Sequence, residues 1–134
     1  MLPGDIRQLP CKEREAEAIR AIDVLEHISW REVNATLAHW FSRLQSGGTL
    51  EIRCPDILEQ ARCLLDGRWN AATFSLMMFG GQDAEGNFHK AGFTPDSLAQ
   101  ALEAVGFVIV SLTPEYDAIP IAGNANFRVV ARRP

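Results

Sequence analysis

The apolar residues change from helical spacing to strand spacing and back between residues 29 and 65, and this alternation constrains the fold most. Apolar side chains recur every three or four residues from Val33 to Leu44, whereas Leu50 and Ile52 alternate with polar residues as in a strand. A second helical pattern follows Asp56. Strands that alternate with helices of this length require crossover connections, so we predict an α/β fold with a parallel sheet.

Capping signals predict where the first two helices begin and end. Ser29 and Glu32 form a capping-box pattern before the first helix, and Gly47 with Gly48 predicts its end. Asp56 predicts the N-cap of the second helix. We expect that helix to bury an apolar stripe made of Leu58, Ala61, Leu64 and Leu65.

The last third of the chain predicts one more helix and two strands. Thr94, followed by a proline, predicts an N-cap. Residues 107–112 contain no charged residue, as expected for a strand whose two faces are both covered. A loop without a helix joins this strand to a last one at residues 126–131. We therefore predict a mixed sheet in which this C-terminal strand is antiparallel and lies between the parallel strands at residues 49–53 and 107–112.

Composition excludes several classes of protein. The chain has 134 residues and a formal net charge of −4, which favours one domain and disfavours a nucleic-acid partner. Its 3 cysteines are odd in number and form no C-x-x-C pair, as is typical of reduced thiols in a cytoplasmic protein. The apolar runs are too short to span a membrane, and no signal-peptide pattern is present at the N-terminus.

Residues 16–25 suit either a short buried strand or a helix, and they precede an acid and a histidine. If they form a strand, Asp23, Glu26 and His27 lie at its carboxyl end, where ligands bind in open α/β sheets. His27 could then act as a general base, with Glu26 either fixing its tautomer or lying too far away to contribute. The alternative is that Glu26 and His27 only end the strand and solvate the loop.

A second histidine, His89, lies beside Lys90 in a glycine-rich segment that also contains Asp83 and Glu85. We interpret this segment as a substrate-contacting loop or as an ordinary surface turn. A metal site is conceivable there, but the spacing matches no metal-ligand pattern, so we assign no residue to a metal. His39 lies between apolar positions of the first helix and is interpreted as an ordinary helix residue.

Several segments occur together in the order and spacing of one enzyme family: GDIRQLP, IDVLEHI, FSRLQSGGTLEIRCPD, FGGQ and NFHKAGF. Through them, nearly the whole chain resembles the later part of a class I S-adenosylmethionine-dependent methyltransferase. The FGGQ and NFHK segments resemble a bacterial subgroup associated with surface-polysaccharide synthesis. The resemblance implies a truncated Rossmann-like methyltransferase fold, with residues 1–134 as a single domain, the C-terminal portion of a methyltransferase-like domain.

The resemblance also implies roles for individual residues. It assigns Asp5 and Ile6 to the adenine of S-adenosylmethionine, and Asp23 and Val24 to the sulfonium end of this cofactor. It assigns His27 to the mouth of the substrate site, and it implies a small-molecule acceptor, in this subgroup a saccharide-related one. With the loop interpretation above, the candidate residues are Glu26 and His27 for catalysis and His89 and Lys90 for substrate binding.

The same resemblance limits the expected activity. In such enzymes a glycine-rich turn and an acid that binds the ribose hydroxyls come before the segment GDIRQLP, whereas only Met1, Leu2 and Pro3 come before it here. We therefore expect this chain to bind S-adenosylmethionine weakly or not at all, because several hydrogen bonds would be missing.

Two hypotheses remain open: a methyltransferase in truncated form, and a non-catalytic methyltransferase remnant that associates with itself or a partner. In the second, the strand at residues 16–25 would lie at a sheet edge and form a homodimer that buries Ile19, Ile22 and Val24. The alternative is that residues 1–15 fold back over this edge and shield it. An unrelated hydrolase has little support, because no G-x-S-x-G nucleophile motif is present.

Overall fold

The computed structural model describes residues 5–116 and 125–134. Within these residues the chain forms four strands and four α-helices. The strands are β1 (Ala16–Ile22), β2 (Leu44–Pro55), β3 (Val108–Tyr116) and β4 (Ala125–Arg132). The helices are α1 (Val33–Arg43), α2 (Ile57–Leu65), α3 (Ala71–Phe79) and α4 (Pro95–Val105), and single 3-10 turns lie at Leu25–His27 and Glu85–Asn87. No helix of this described part is long and apolar enough to cross a membrane.

The four strands form one mixed sheet in the order β1-β2-β4-β3. β1 and β2 are parallel, and β4 is antiparallel to both of its neighbours, β2 and β3. β2 and β3 therefore run in the same direction with β4 between them, which confirms the predicted α/β fold and mixed sheet. Residues 16–22 are a strand, which resolves the choice that the sequence left open.

One face of the sheet carries the main hydrophobic core. Register pairs Ile19 with Leu50 and Ile52 with Val129, so that these apolar side chains lie on the same face. They pack against helices α1 and α4 in one cluster with Leu37 and Leu102, which are fully buried. Burying a side chain of this size stabilises the fold by about 1.5–3 kcal/mol.

The opposite face of the sheet carries paired charges. Arg20 of β1 donates to Glu51 of β2 at 2.7 Å, and Arg128 of β4 bridges Glu51 and Glu115. Their side chains are between 25% and 68% exposed, so water reaches this face. Exposed ion pairs add little stability, but they make this surface polar.

The sequence interpretation of β3 was wrong about its surroundings. β3 is the last strand of the sheet rather than a covered one, and Val108, Val110 and Leu112 are exposed. A register shift between Ile109 and Ser111 interrupts its pairing with β4. Lack of charge therefore did not indicate burial here.

The predicted capping box of the first helix was also wrong. Helix α1 begins at Val33, and its N-cap, Glu32, makes no side-chain capping bond. The Glu32 carboxylate instead accepts two hydrogen bonds of 3.0 Å from the guanidinium of Arg7. The helix ends at Arg43 and β2 begins at once, so that Gly47, with a φ of +81°, lies inside the strand and does not end the helix.

The caps of α2 and α4 are confirmed, but the predicted apolar stripe of α2 is not. Thr94 and Ser97 form a reciprocal capping box at the start of α4. In α2, Leu58 and Leu65 are exposed, while Glu59 and Gln60 are buried. The Gln60 amide donates to the backbone carbonyl of Met77 in α3 at 3.3 Å, and this contact turns a polar side of α2 inward.

Asp56 joins the cap of α2 to the end of β3, and this generates a testable prediction. Its carboxylate accepts the N–H groups of Leu58 at 3.0 Å and Glu59 at 3.3 Å, and the Tyr116 hydroxyl donates to it at 2.7 Å. We expect Asp56→Ala to lower the free energy of unfolding, measured with urea, by about 1–3 kcal/mol. Tyr116→Phe removes one hydrogen bond and should lower it by about 0.5–1.5 kcal/mol. If Asp56→Ala and Tyr116→Phe lowered the free energy of unfolding equally, the two capping hydrogen bonds to Asp56 would contribute nothing to stability.

Candidate functional site

The turn that follows β1 positions the first candidate residues. Asp23 has a φ of +56°, which bends the chain sharply out of the strand into the 3-10 turn. Its N–H donates to the Arg53 carbonyl at 2.9 Å, and its carboxylate binds the Arg53 guanidinium at 2.5 and 3.1 Å. The turn is thereby fixed to the neighbouring strand β2, with Glu26 and His27 at the carboxyl end of β1.

Glu26 is buried in an environment that disfavours its charge. Only 3% of the residue is exposed, and its Oε2 atom has no hydrogen-bond partner among the described residues. Burial raises the pKa of Glu26 to about 7, and the nearby Asp23 carboxylate acts in the same direction. This carboxyl group can therefore exchange a proton near neutral pH.

His27 presents an unprotonated nitrogen toward Glu26. Its Nδ1 atom lies 3.0 Å from the Phe88 carbonyl oxygen, which can only accept a hydrogen bond. In the neutral imidazole Nδ1 therefore carries the proton, and Nε2 keeps its lone pair. Nε2 lies 3.9 Å from Oε1 of Glu26, too far for a hydrogen bond. The contact that fixes the tautomer is thus made by Phe88, which the sequence did not single out.

The loop after α3 brings His89 to the same place. The N–H groups of Lys90 and Ala91 donate to the Glu26 carbonyl at 2.7 and 3.2 Å. The His89 ring then packs edge-on against His27, with a centroid distance of 4.9 Å. Burial lowers the pKa of His89, and the facing His27 ring lowers it further. The structure thus brings together Glu26, His27 and His89, which the sequence analysis had treated as two separate groups.

Gly80 allows this loop to turn back on itself. Its φ is +88°, and a Cβ atom there would lie 2.5 Å from the Asn87 carbonyl oxygen and 3.1 Å from the His89 ring. The His89 N–H donates to the Phe79 carbonyl at 2.9 Å across the same turn. Only glycine fits here without moving His89.

The residues that the resemblance assigns to adenine lie in a segment that runs along α1. The Ile6 carbonyl accepts a hydrogen bond of 2.8 Å from the Trp40 indole, and Ile6 packs against the core. Asp5 is exposed, and hydrogen bonds from Arg7 lower its pKa to about 2. Ile6, His27 and Lys90 line one cleft of about 220 Å³.

The four residues assigned to the cofactor are largely engaged within the chain itself. Ile6 and Val24 are half-buried against the core, which leaves them a limited contact surface. The carboxylates of Asp5 and Asp23 are each bound by an arginine, Arg7 and Arg53 respectively. These two acids could contact the cofactor only by sharing their carboxylates with those arginines.

The role of Gly80 can be tested with a matched glycine. Gly67 also has a positive φ, +80°, but a Cβ atom there would meet nothing within 4 Å. Gly67→Ala should cost about 1–2 kcal/mol of unfolding free energy from backbone strain alone. We expect Gly80→Ala to cost at least about 1 kcal/mol more, because Cβ overlaps the Asn87 carbonyl. Equal costs in urea denaturation would show that the loop accommodates the extra atom.

Comparison with known proteins connects this fold to methyltransferases. No family model matches the sequence, and no curated protein matches it. Among solved structures, a chain from a complex that contains the Haloferax volcanii Trm112 methyltransferase activator superposes with a TM-score of 0.68 at 11% identity, covering 99% of this chain and 60% of that one. A SAM-dependent methyltransferase from Archaeoglobus fulgidus gives 0.66 at 12% identity, with 98% and 66% covered.

A third structure contains a bound cofactor product. It is the 1,6-didemethyltoxoflavin-N1-methyltransferase of Burkholderia thailandensis with 1,6-didemethyltoxoflavin and S-adenosylhomocysteine, with a TM-score of 0.62 at 17% identity. This comparison covers 96% of this chain and 48% of the enzyme. The chain thus spans between about half and two thirds of the structures it resembles, and it has the Rossmann-like α/β fold of S-adenosylmethionine-dependent methyltransferases.

Proposed function

We propose that this chain is an S-adenosylmethionine-dependent methyltransferase, or a truncated form of one, that acts on a small-molecule acceptor. The observation that carries the proposal is the position of His27. Its Nε2 lone pair lies at the carboxyl end of β1, and the ring lines a cleft shared with Ile6 and Lys90. The methyltransferase-like fold supports a methyl donor on this side of the sheet.

The residues around the cleft suggest how an acceptor would be activated. S-adenosylmethionine, when bound, supplies a methyl group on a positively charged sulfur. His27 Nε2 would remove the proton from an acceptor oxygen or nitrogen, while Lys90 and His89 would hold the acceptor. Most of the rate enhancement would come from positioning, with base catalysis adding about 10²–10⁴-fold.

The proposal extends to the acceptor, the domain and the location of the protein. The resemblance of FGGQ and NFHK favours a saccharide-related acceptor. Residues 1–134 would form one domain that corresponds to the C-terminal portion of a methyltransferase domain.

Cys54 and Cys63 are buried free thiols, and burial raises the pKa of both. Inert thiols of this kind are compatible with a reducing cytoplasm.

Cofactor binding can be tested by titrating the labelled chain with S-adenosylhomocysteine and following the backbone amides by NMR. We expect saturable shifts at Asp5, Ile6, Asp23 and Val24 with a dissociation constant near 1 mM, equivalent to about −4 kcal/mol. Asp23→Ala should weaken binding several-fold. The substitution removes a carboxylate at the carboxyl end of β1, and it also removes the ion pair with Arg53 that holds the turn in place.

A matched control shows whether Asp23→Ala weakens binding specifically or only because the chain loses an ion pair. Asp66 is another exposed acid bound by a neighbouring arginine, Arg68, at 2.8 Å. Asp66→Ala should leave the shifts unchanged. Shifts confined to other parts of the chain, or none at millimolar ligand, would refute the proposed cofactor surface.

A non-catalytic, self-associating domain is the second candidate. β1 is at one end of the sheet and pairs only with β2 among the described strands, so its outer backbone groups can pair with another chain. Ile22 is half-buried, whereas Ile19 and Val24 pack in part against the core of the same chain. A homodimer would therefore bury Ile22 more than the other two residues.

Light scattering tests this second candidate. A dimer paired through β1 should give twice the monomer mass of 14.8 kDa at tens of micromolar. Ile22→Lys should return it to the monomer, because a charge would be buried in the contact. Val110→Lys, on the exposed strand β3 at the other end of the sheet, is the control and should remain a dimer. A monomer for the unmodified chain would exclude this arrangement.

A further inference from the structure

We propose that Glu26, His27 and His89 form a binding site for one divalent transition-metal ion. One nitrogen from each histidine and one carboxylate oxygen of Glu26 all lie within 4.8 Å of one another. Two imidazoles and one carboxylate are a ligand set that proteins use for zinc and for non-haem iron, with positions left open for a further ligand.

The first independent observation is the state of Glu26. Its Oε2 atom is buried without a hydrogen-bond partner in the described part of the chain, and the residue is only 3% exposed. Leaving a buried carboxylate oxygen without a partner is unfavourable. A cation bound by this carboxylate would offset that cost, whereas a purely structural role gives no reason for an acid at this position.

The second observation is the orientation of His27. Its Nδ1–H group is fixed by the Phe88 carbonyl at 3.0 Å, and this leaves the Nε2 lone pair on the side of Glu26. Histidines that bind metals are usually oriented in this way, by a hydrogen bond from the ring nitrogen that does not bind the metal. The contact therefore prepares His27 to donate a lone pair.

The third observation is that the backbone holds the ligands together before any ion binds. The Glu26 carbonyl accepts N–H groups from Lys90 and Ala91, and the His89 N–H is bound to Phe79. Metal–ligand bonds of ~2.1 Å place ligand atoms ~3–4 Å apart around one ion. The 3.9 Å between His27 Nε2 and Glu26 Oε1 already falls in this range. All three ligand atoms lie within 4.8 Å of one another, so the ligands have to move closer together when an ion binds.

The ligand types select the kind of metal. Imidazole nitrogen suits zinc, iron, cobalt and nickel, whereas magnesium and calcium prefer sites made of oxygen atoms. With the ion bound, His27 could not also act as a base, because its lone pair would be engaged. Any activation of an acceptor would then come from the cation. The site itself does not depend on methyl transfer, and it is tested without cofactor or acceptor.

Isothermal titration of the untagged chain with zinc chloride tests the site directly. It should be done in a Cys11→Ser background, because Cys11 is a half-buried free thiol that could bind zinc by itself. We expect one zinc ion per chain, and at least about tenfold weaker binding in each of Glu26→Gln, His27→Gln and His89→Gln, since even partners of ligands contribute 10–100-fold. Magnesium chloride should give no binding heat.

His39 provides a matched control, since it is the only other histidine of the chain. Its Nε2 accepts the Leu9 N–H at 2.8 Å, and its side chain belongs to helix α1. His39→Gln should leave zinc affinity within about twofold of the parent. Zinc binding that survives all three ligand substitutions, or that is lost only in His39→Gln, would overturn the proposal.

A second measurement needs no substitution and so does not depend on the folding of a variant. In the imidazole NMR spectrum of the parent chain, zinc should shift the ring signals of His27 and His89 together and leave those of His39 in place. Saturation at one equivalent supports the site. Unchanged signals of His27 and His89 at millimolar zinc would overturn it.

Discussion

The hydrogen bonds from Lys90 and Ala91 to the Glu26 carbonyl are the interaction on which the candidate site depends. They join the turn after β1 to the loop after α3, the loop that carries His89 to His27. Each such bond contributes only about 0.5–1.5 kcal/mol. Their larger effect is to select one arrangement of a loop that would otherwise have many, so that the Phe88 carbonyl reaches Nδ1 of His27.

The burial of Glu26 follows from its neighbours rather than from its own chemistry. Leu25 is fully buried and Ile28 is 5% exposed, and both belong to the main core. A short turn anchored by apolar side chains near both ends carries the residue between them inward as well. The fold thus keeps a carboxyl group in a place that raises its pKa to about 7, a cost that is typical of functional rather than structural acids.

The sequence predicted those features that depend on near neighbours. The cap at Thr94, the cap at Asp56 and the order of strands around β4 all follow from local pattern and short connections. It failed at Glu32, whose carboxylate binds Arg7, a residue far away in the chain. The meeting of His89 with Glu26 and His27 was missed for the same reason. Sequence spacing cannot detect ligands that a long loop brings together, although the glycine-rich segment before His89 did indicate a loop there.

The charged face of the sheet limits how this fold can associate. On β2, Glu51 and Arg53 point away from the core that holds Leu50 and Ile52. Glu51 forms an ion pair with Arg20 of β1, and Arg53 forms one with Asp23 in the turn after β1. A partner that covered this face would have to remove water from several charges at once, and their mutual attraction offsets that cost only with excellent geometry. Pairing along the backbone of β1 removes water from fewer charges. If this chain associates with itself, pairing through the edge of the sheet would therefore cost less than contact through its open face.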